Sequence, residues 1–102
     1  MIARMWRGKV LTERAAEYVE YITGTGIKEY RQTPGNRGAQ MWTRDLGDGR
    51  TEVITLSWWD SLDSIRGFAG DDLEAAVFYP EDDDYLVDRD TRVAHFEVHS
   101  DS

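Results

Sequence analysis

The stretch TEVITLSWWDSLDSIRGFA, residues 51–69, decides the fold because a strand pattern runs into a helix pattern with almost no linker. In its first half, apolar residues fall on both parities, which predicts a strand covered on both faces. Its second half repeats apolar residues at helical spacing: Leu62, Ile65, Phe68 and Ala69. Asp60 stands at the junction and is predicted to be the N-cap of this helix.

Upstream of this stretch, the sequence predicts two strands and one helix. Loose alternation over residues 2–7 predicts the first strand, and helical spacing predicts a helix over residues 12–23 with Thr12 as its N-cap. Gly24 and Gly26 are predicted to loosen or end this helix. After the turn TPGNRG comes a second strand over residues 37–45, and the connection LGDGR predicts an antiparallel hairpin with the strand that follows.

Downstream, the patterns predict a short helix and a last strand. Asp71 or Asp72 is predicted to cap a helical segment that reaches Val77. The acidic stretch PEDDDYLVDRD could suggest a calcium site, but its carboxylates lack the alternation and the glycine turn of a calcium loop. It is therefore predicted to be a solvated connection. Alternation over residues 92–99 predicts the last strand.

The order of these elements predicts an α+β fold. Strand, helix, hairpin, helix and strand form a ferredoxin-like split βαβ arrangement, with a four-stranded antiparallel sheet and both helices on one face. The other face would then expose a large apolar patch, which monomers rarely tolerate. We therefore expect a homodimer whose sheets pack face to face.

Composition limits the classes of function. The chain has 102 residues, and we expect one domain over residues 1–102. Its formal net charge of −8 disfavours nucleic acid and anionic membrane surfaces as partners. The absence of cysteine excludes disulfides and thiolate chemistry, and with two histidines a structural metal site is not expected. Because the sequence has neither a signal-peptide pattern nor a long apolar run, we expect a cytoplasmic protein.

Three stretches carry a resemblance to a known family: MIARMWRG in the first strand, TPGNRG in the turn and LSWWDSLDSIRGFAG at the strand-to-helix junction. They resemble the antibiotic biosynthesis monooxygenase family, a group of dimeric α/β barrels. The resemblance implies a pocket in each subunit between the sheet and the helices. Some members use it for cofactor-free oxygenation of a phenolic or quinol substrate, others for haem degradation, and several have no known reaction, so fold transfers better than function.

The haem-degrading branch of this family can be compared with the sequence residue by residue. It has an Asn on the first strand, a Trp on the second helix and a haem-ligating His on the helix that follows. The corresponding positions here are Trp6, Phe68 and Phe78, none of which coordinates iron. This departure argues against haem cleavage by that route, and we expect no cofactor.

His95 is the candidate catalytic residue because it lies inside a predicted strand and titrates near neutral pH. If it points into the pocket, it could remove a proton from a phenol and create an anion that reacts with oxygen. The alternative is a hydrogen-bonded strand histidine with a structural role, and the sequence leaves both open.

A set of further residues is predicted to bind the substrate: Arg4, Trp6, Phe68, Phe78 and Tyr79. Trp6 shares a parity with Arg4, and an aromatic wall beside a cation suits a planar anionic ligand. The other three would extend an apolar pocket from the helix side. For each aromatic residue, packing in the core is the alternative, and for Arg4 it is an ion pair with a carboxylate.

The function predicted from the sequence is cofactor-independent monooxygenation of a small aromatic molecule. The alternative is a dimeric module of the same fold that binds a small molecule without catalysis. These two classes differ in whether the pocket holds a positioned base.

Overall fold

The computed structural model describes residues 1–99. Its strands are β1 Ile2–Leu11, β2 Asn36–Asp45, β3 Arg50–Trp59, β4 Leu86–Arg89 and β5 Ala94–Glu97. Its α-helices are α1 Ala15–Ile22, α2 Lys28–Gln32, α3 Leu62–Ala69 and α4 Asp82–Tyr85. A 3₁₀ turn, Thr12–Arg14, precedes α1, and a π-helical turn, Thr23–Ile27, joins α1 to α2.

The strands form one antiparallel sheet in the order β2-β3-β1-β4, with β5 also paired to β1. The α+β, ferredoxin-like fold predicted from the sequence is confirmed. The fourth position, however, is shared by two short strands. β4 pairs with β1 near Gly8, whereas β5 pairs with residues 2–5 of β1.

The two faces of the sheet differ because side chains alternate along β1 and β3. On one face, Trp6 opposes Thr55 and Val10 opposes Thr51, and all four side chains are buried. The helices pack on this face, where Trp59 joins helical core residues such as Tyr18 and Ile65 in one apolar cluster. The strand in the opening stretch thus has one helix-covered side, whereas the cover predicted for its second face is not seen in the described chain, where Ile54 and Trp58 stay partly exposed.

The opposite face carries apolar side chains that lie outside this cluster. Its members are Met5, Trp42, Ile54, Leu56, Trp58 and Phe96. Trp42 is 49% exposed and Phe96 is 50% exposed. Two ion pairs lie on the same face, Lys9 with Asp88 at 3.8 Å and Arg44 with Glu52 at 3.0 Å.

Two predicted helix caps are wrong. The side chain that accepts a hydrogen bond at the start of α3 is Ser61, which accepts from the Ser64 amide, while Asp60 pairs with Arg37 at 2.5 Å. Thr12 begins the 3₁₀ turn without capping it and bonds instead to the Thr51 hydroxyl at 2.9 Å. In both places a tertiary or turn contact takes the polar side chain away from the helix end.

The helices agree with the sequence prediction at one place and differ from it at another. Gly24 and Gly26 lie inside the π-helical turn, so they loosen the helix without ending it. The predicted helix from Asp71 or Asp72 to Val77 is absent from the described chain. This segment is an extended loop, because Ala75 forms a bridge with Arg92 and Asp72 accepts from the Arg92 side chain at 2.9 Å.

The acidic stretch is more ordered than predicted. It forms α4 and β4 instead of a solvated connection, and Asp82 within it is buried. Strand β4 therefore lies in a segment that was predicted to be a loop, and β5 covers only part of the strand predicted over residues 92–99.

The turn at Pro34 and Gly35 fixes the start of α3. The Gly35 carbonyl accepts from the Asp60 amide at 2.9 Å, and Gly35 has a φ of +88°, which favours glycine. A β-carbon at this position would lie 2.5 Å from the Ser64 β-carbon. The turn TPGNRG therefore needs glycine for both conformation and space.

Candidate functional site

A cleft lies between the helix-covered face of the sheet and the helices. It is narrow: the volume open to the centre of a water-sized sphere is about 20 Å³, within an outline of about 370 Å³ that includes open solvent. The sheet side contributes Arg4, Trp6, Thr55 and Val93. The helical side contributes Tyr18, Ile22, Gly26 and Tyr30, and the segment before β4 contributes Val77, Phe78, Tyr79 and Asp82.

Arg4 is a buried cation in the wall of this cleft, only 1% exposed. Its Nη1 lies 2.5 Å from the Leu73 carbonyl oxygen and its Nη2 lies 3.0 Å from the Ala75 carbonyl oxygen. Burial lowers the pKa of Arg4, and the neighbouring Tyr30 raises it, but an arginine remains charged near neutral pH. Among residues 1–99 no carboxylate forms a salt bridge with it, so the predicted alternative of an ion pair is not what the structure shows.

His95 lies behind Arg4, outside the residues that line the cleft. It opposes Arg4 in the β1–β5 pair, and its Nε2 is 3.0 Å from Nη1 of Arg4. Because arginine only donates, Nε2 accepts this hydrogen bond, which favours the neutral ring with its proton on Nδ1. Burial, followed by the charge of Arg4, lowers the pKa of His95. The catalytic role of His95 stays a prediction.

Trp6 and Phe78 form an aromatic wall of this cleft. Their ring centroids are 6.3 Å apart in an edge-to-face arrangement, and both line the cleft. The indole Nε1 of Trp6 donates to the Asp90 carbonyl at 2.8 Å, which fixes the ring. The Arg89 guanidinium lies 5.0 Å from the Phe78 ring centroid.

Tyr79 and Phe68 differ in where they lie. Tyr79 lines the cleft, and its hydroxyl donates to Glu29. Phe68 lies outside the cleft lining and packs on Tyr30, with ring centroids 4.5 Å apart. The Arg4 guanidinium is 5.8 Å from the Phe68 ring, so Phe68 supports Arg4 from the core side.

Asp82 is a cleft residue that the sequence analysis missed. It is 2% exposed, accepts from the Tyr18 hydroxyl at 3.1 Å and accepts from the Tyr79 amide at 2.6 Å. Burial raises the pKa of Asp82, and burial together with Asp82 raises the pKa of Tyr18. The acidic run concealed it, since its neighbours Asp83 and Asp84 are exposed. No signal in one sequence distinguishes them.

The cleft therefore combines two buried ionisable side chains with aromatic walls. Arg4 provides a positive group, and the Asp82 carboxyl provides a proton acceptor or donor. Within residues 1–99, no group of three or more His, Asp or Glu residues is placed to hold a metal ion. In the same part of the chain, no helix is long and apolar enough to cross a membrane.

The fold defines a ferredoxin-like α+β class, and solved structures with this fold are known. A crystal structure of a putative antibiotic biosynthesis monooxygenase from Bacillus cereus shares 19% identity, covering 99% of this chain and 95% of that chain, with a TM-score of 0.69. The chain thus has the fold of antibiotic biosynthesis monooxygenase structures, and the resemblance stated from the sequence is confirmed at the level of the fold.

Two other similar structures show how widely this fold is used. An uncharacterised NIPSNAP domain protein from Burkholderia xenovorans shares 19% identity over 98% of this chain and 96% of that chain, with a TM-score of 0.62. A variant of MhuD with two manganese protoporphyrin IX molecules bound per active site shares 17% identity over 100% of this chain and 98% of that chain, with a TM-score of 0.59. No protein-family profile and no curated protein matches the chain.

Proposed function

We propose that the protein is a cofactor-independent monooxygenase that acts on a small aromatic molecule of the phenol or quinol type. One observation carries this proposal: a cleft on the helix-covered face joins the Trp6 and Phe78 rings to two buried ionisable side chains, Arg4 and Asp82. Antibiotic biosynthesis monooxygenase structures with the same fold support the reaction class.

The reaction needs no external reductant. A phenol that becomes a quinone takes one atom of molecular oxygen into the ring, and the other atom leaves as water. The substrate supplies all four electrons, and its deprotonated form is the electron-rich species that reacts with oxygen. The task of the protein is therefore to bind the ring, accept the phenolic proton and stabilise the negative charge.

Two side chains are candidates for the base. His95, predicted from the sequence, is joined to the cleft through Arg4, whose hydrogen bond occupies its Nε2. Asp82 lies in the cleft wall itself, and burial raises the pKa of its carboxyl. Arg4 would stabilise an anionic substrate, since it is a buried cation with no carboxylate partner in the described chain.

The experiment is oxygen consumption with a panel of phenols and quinols, comparing the parent protein with His95→Ala and Asp82→Asn. Loss of a positioned base lowers turnover by about 10²- to 10⁴-fold, so the variant that shows this loss identifies the base. Trp6→Phe keeps the aromatic wall but removes the indole donor, and we expect it to change KM more than kcat. Unchanged kinetics in all three variants would refute this site.

The alternative of a non-catalytic binding module predicts ring binding without oxygen consumption. Haem degradation finds less support, because Phe78 stands where the resemblance places the iron ligand. A haem titration that gives a sharp Soret band, followed by reductant-dependent ring cleavage, would reverse that judgement.

We also propose that the protein is a homodimer in which the exposed apolar sheet faces of two copies pack together. Trp42 and Phe96 are half exposed on this face, and two ion pairs beside the patch, Lys9–Asp88 and Arg44–Glu52, balance charge there. A second copy is the partner best matched to such a face, because the patch is apolar and carries little of the net negative charge that would repel an identical chain.

A further inference from the structure

We infer that the cleft selects aromatic carboxylates, with the ligand carboxylate bound by Nε and Nη2 of Arg4 and the ring placed against Trp6 and Phe78. This inference rests on the proposed function in one respect, namely that the same cleft binds an aromatic molecule. It adds the chemical group that distinguishes ligands from one another.

Arg4 forms three hydrogen bonds through its guanidinium at the distances given above. A guanidinium has five N–H donors. Nη1 uses its two, on the Leu73 carbonyl and on Nε2 of His95, and Nη2 uses one on the Ala75 carbonyl. The Nε of Arg4 is the one buried side-chain nitrogen or oxygen without a hydrogen-bond partner in the described chain. Five donors less three leaves Nε–H and one N–H of Nη2.

The two remaining N–H donors of Arg4 favour a carboxylate as their partner. A buried donor without a partner is costly, and a buried cation without an anion is more so. The groups that bond to Arg4 at the distances given are two carbonyls and an imidazole, and the Tyr30 hydroxyl also lies beside the guanidinium, but none of them is a carboxylate. A carboxylate matches two N–H groups of one guanidinium through two parallel hydrogen bonds, which a single phenolate oxygen cannot form.

The side chains beside Arg4 in the cleft determine where the rest of the ligand would lie. Arg4 precedes Trp6 by two residues on the same face of β1, and both line the cleft with Phe78. A ring attached to the carboxylate therefore meets these aromatic side chains. Asp82 lines the same cleft and disfavours a second anion beside it, so the carboxylate is directed to Arg4.

The test uses fluorine NMR to measure binding of para-fluorobenzoate and para-fluorobenzamide to the full-length protein. The two probes have nearly the same shape, and at about pH 7.5 only the first is charged. We expect para-fluorobenzoate to bind about 10- to 100-fold more tightly. Equal affinities, no binding of either probe at millimolar concentration, or a preference for para-fluorophenol would overturn the inference.

Variants locate the effect. Arg4→Met should abolish the preference for benzoate, whereas Arg66→Met, which removes an exposed arginine of α3 outside the cleft lining, should retain it. If Arg4→Met does not fold, Arg4→Lys keeps the charge but not the fork and should retain only part of the preference. Phe78→Ala should weaken both probes alike. A benzoate preference that survives in Arg4→Met would assign the anion site elsewhere.

This result can be separated from the outcome for the oxygenase. Binding that prefers benzoate, in a protein that consumes no oxygen with any phenol, would uphold the carboxylate site and refute the proposed reaction. Oxygenation of neutral phenols without any preference for benzoate would do the reverse.

Discussion

Arg4 and His95 face each other across the β1–β5 strand pair, with Nη1 of the guanidinium 3.0 Å from Nε2 of the imidazole. A protonated His95 would have to give up this hydrogen bond and stand beside a buried positive charge. The folded protein therefore favours the neutral histidine.

This relationship predicts a pH dependence of stability. Burial and Arg4 lower the pKa of His95 from its ordinary 6.5, so below that pH the unfolded chain binds more protons than the folded one. The contribution of the neutral ring is present above 6.5 and is lost as pH falls through the lowered pKa. Urea unfolding at stepwise lower pH should show this loss in the parent protein and a shallower one in His95→Gln.

His99→Gln is the matched control for this experiment. It removes the other histidine, whose side chain is 85% exposed near the end of the described chain. It should keep the pH dependence of the parent protein. The same slope in the parent protein and in His95→Gln would contradict the prediction.

Asp82 is predicted to support the fold as well as the cleft. Asp82→Ala leaves the buried Tyr18 hydroxyl without its acceptor, so the free energy of unfolding should fall by about 1–3 kcal/mol in chemical denaturation. Asp84→Ala, two residues along and exposed, should stay within about 0.5 kcal/mol of the parent protein. If the two variants had the same free energy of unfolding, the buried Asp82 carboxylate would contribute no more to stability than the exposed Asp84.

Gly35 and Gly47 allow the steric part of a glycine requirement to be measured. Both have positive φ, +88° and +81°, so alanine strains the backbone at either position by about 1–2 kcal/mol. Only at Gly35 would the added β-carbon meet the Ser64 side chain, whereas at Gly47 it meets open space. Gly35→Ala should therefore lower the urea midpoint clearly more than Gly47→Ala, and equal shifts would contradict this account of the turn.

The proposed dimer predicts a specific response to charge on the open sheet face. Trp42→Glu places a carboxylate in the interface of each copy, so the dimer should dissociate about 100-fold more readily in sedimentation experiments. Leu62→Glu introduces the same charge at an exposed position in the first turn of α3 and should leave the dimer intact. A parent protein that is monomeric at micromolar concentration would refute the proposal outright.

Strand parity and the strand-to-helix junction could be predicted from the sequence because they depend on neighbours in the chain. The alternation that placed Arg4 and Trp6 on one side of β1 is the alternation of the observed strand, and α3, Leu62–Ala69, contains the apolar residues that predicted it. Helix caps were harder to predict, because Asp60 and Ser61 are both good cap residues. Arg37 pairs with Asp60 in the folded protein, and Ser61 caps the helix.

The sequence by itself therefore determined the fold class and the aromatic residues available to a cleft, since these follow from local periodicity, but not which face of the sheet the helices cover. Only the tertiary structure decided which ionisable side chains are buried and which groups they bond to. Arg4 meets the Leu73 carbonyl 69 residues away, and Tyr18 meets Asp82 64 residues away. The burial and pKa of a side chain depend on such distant partners, and for that reason the acidic run concealed the buried Asp82 and the pattern around His95 did not reveal its bond to Arg4.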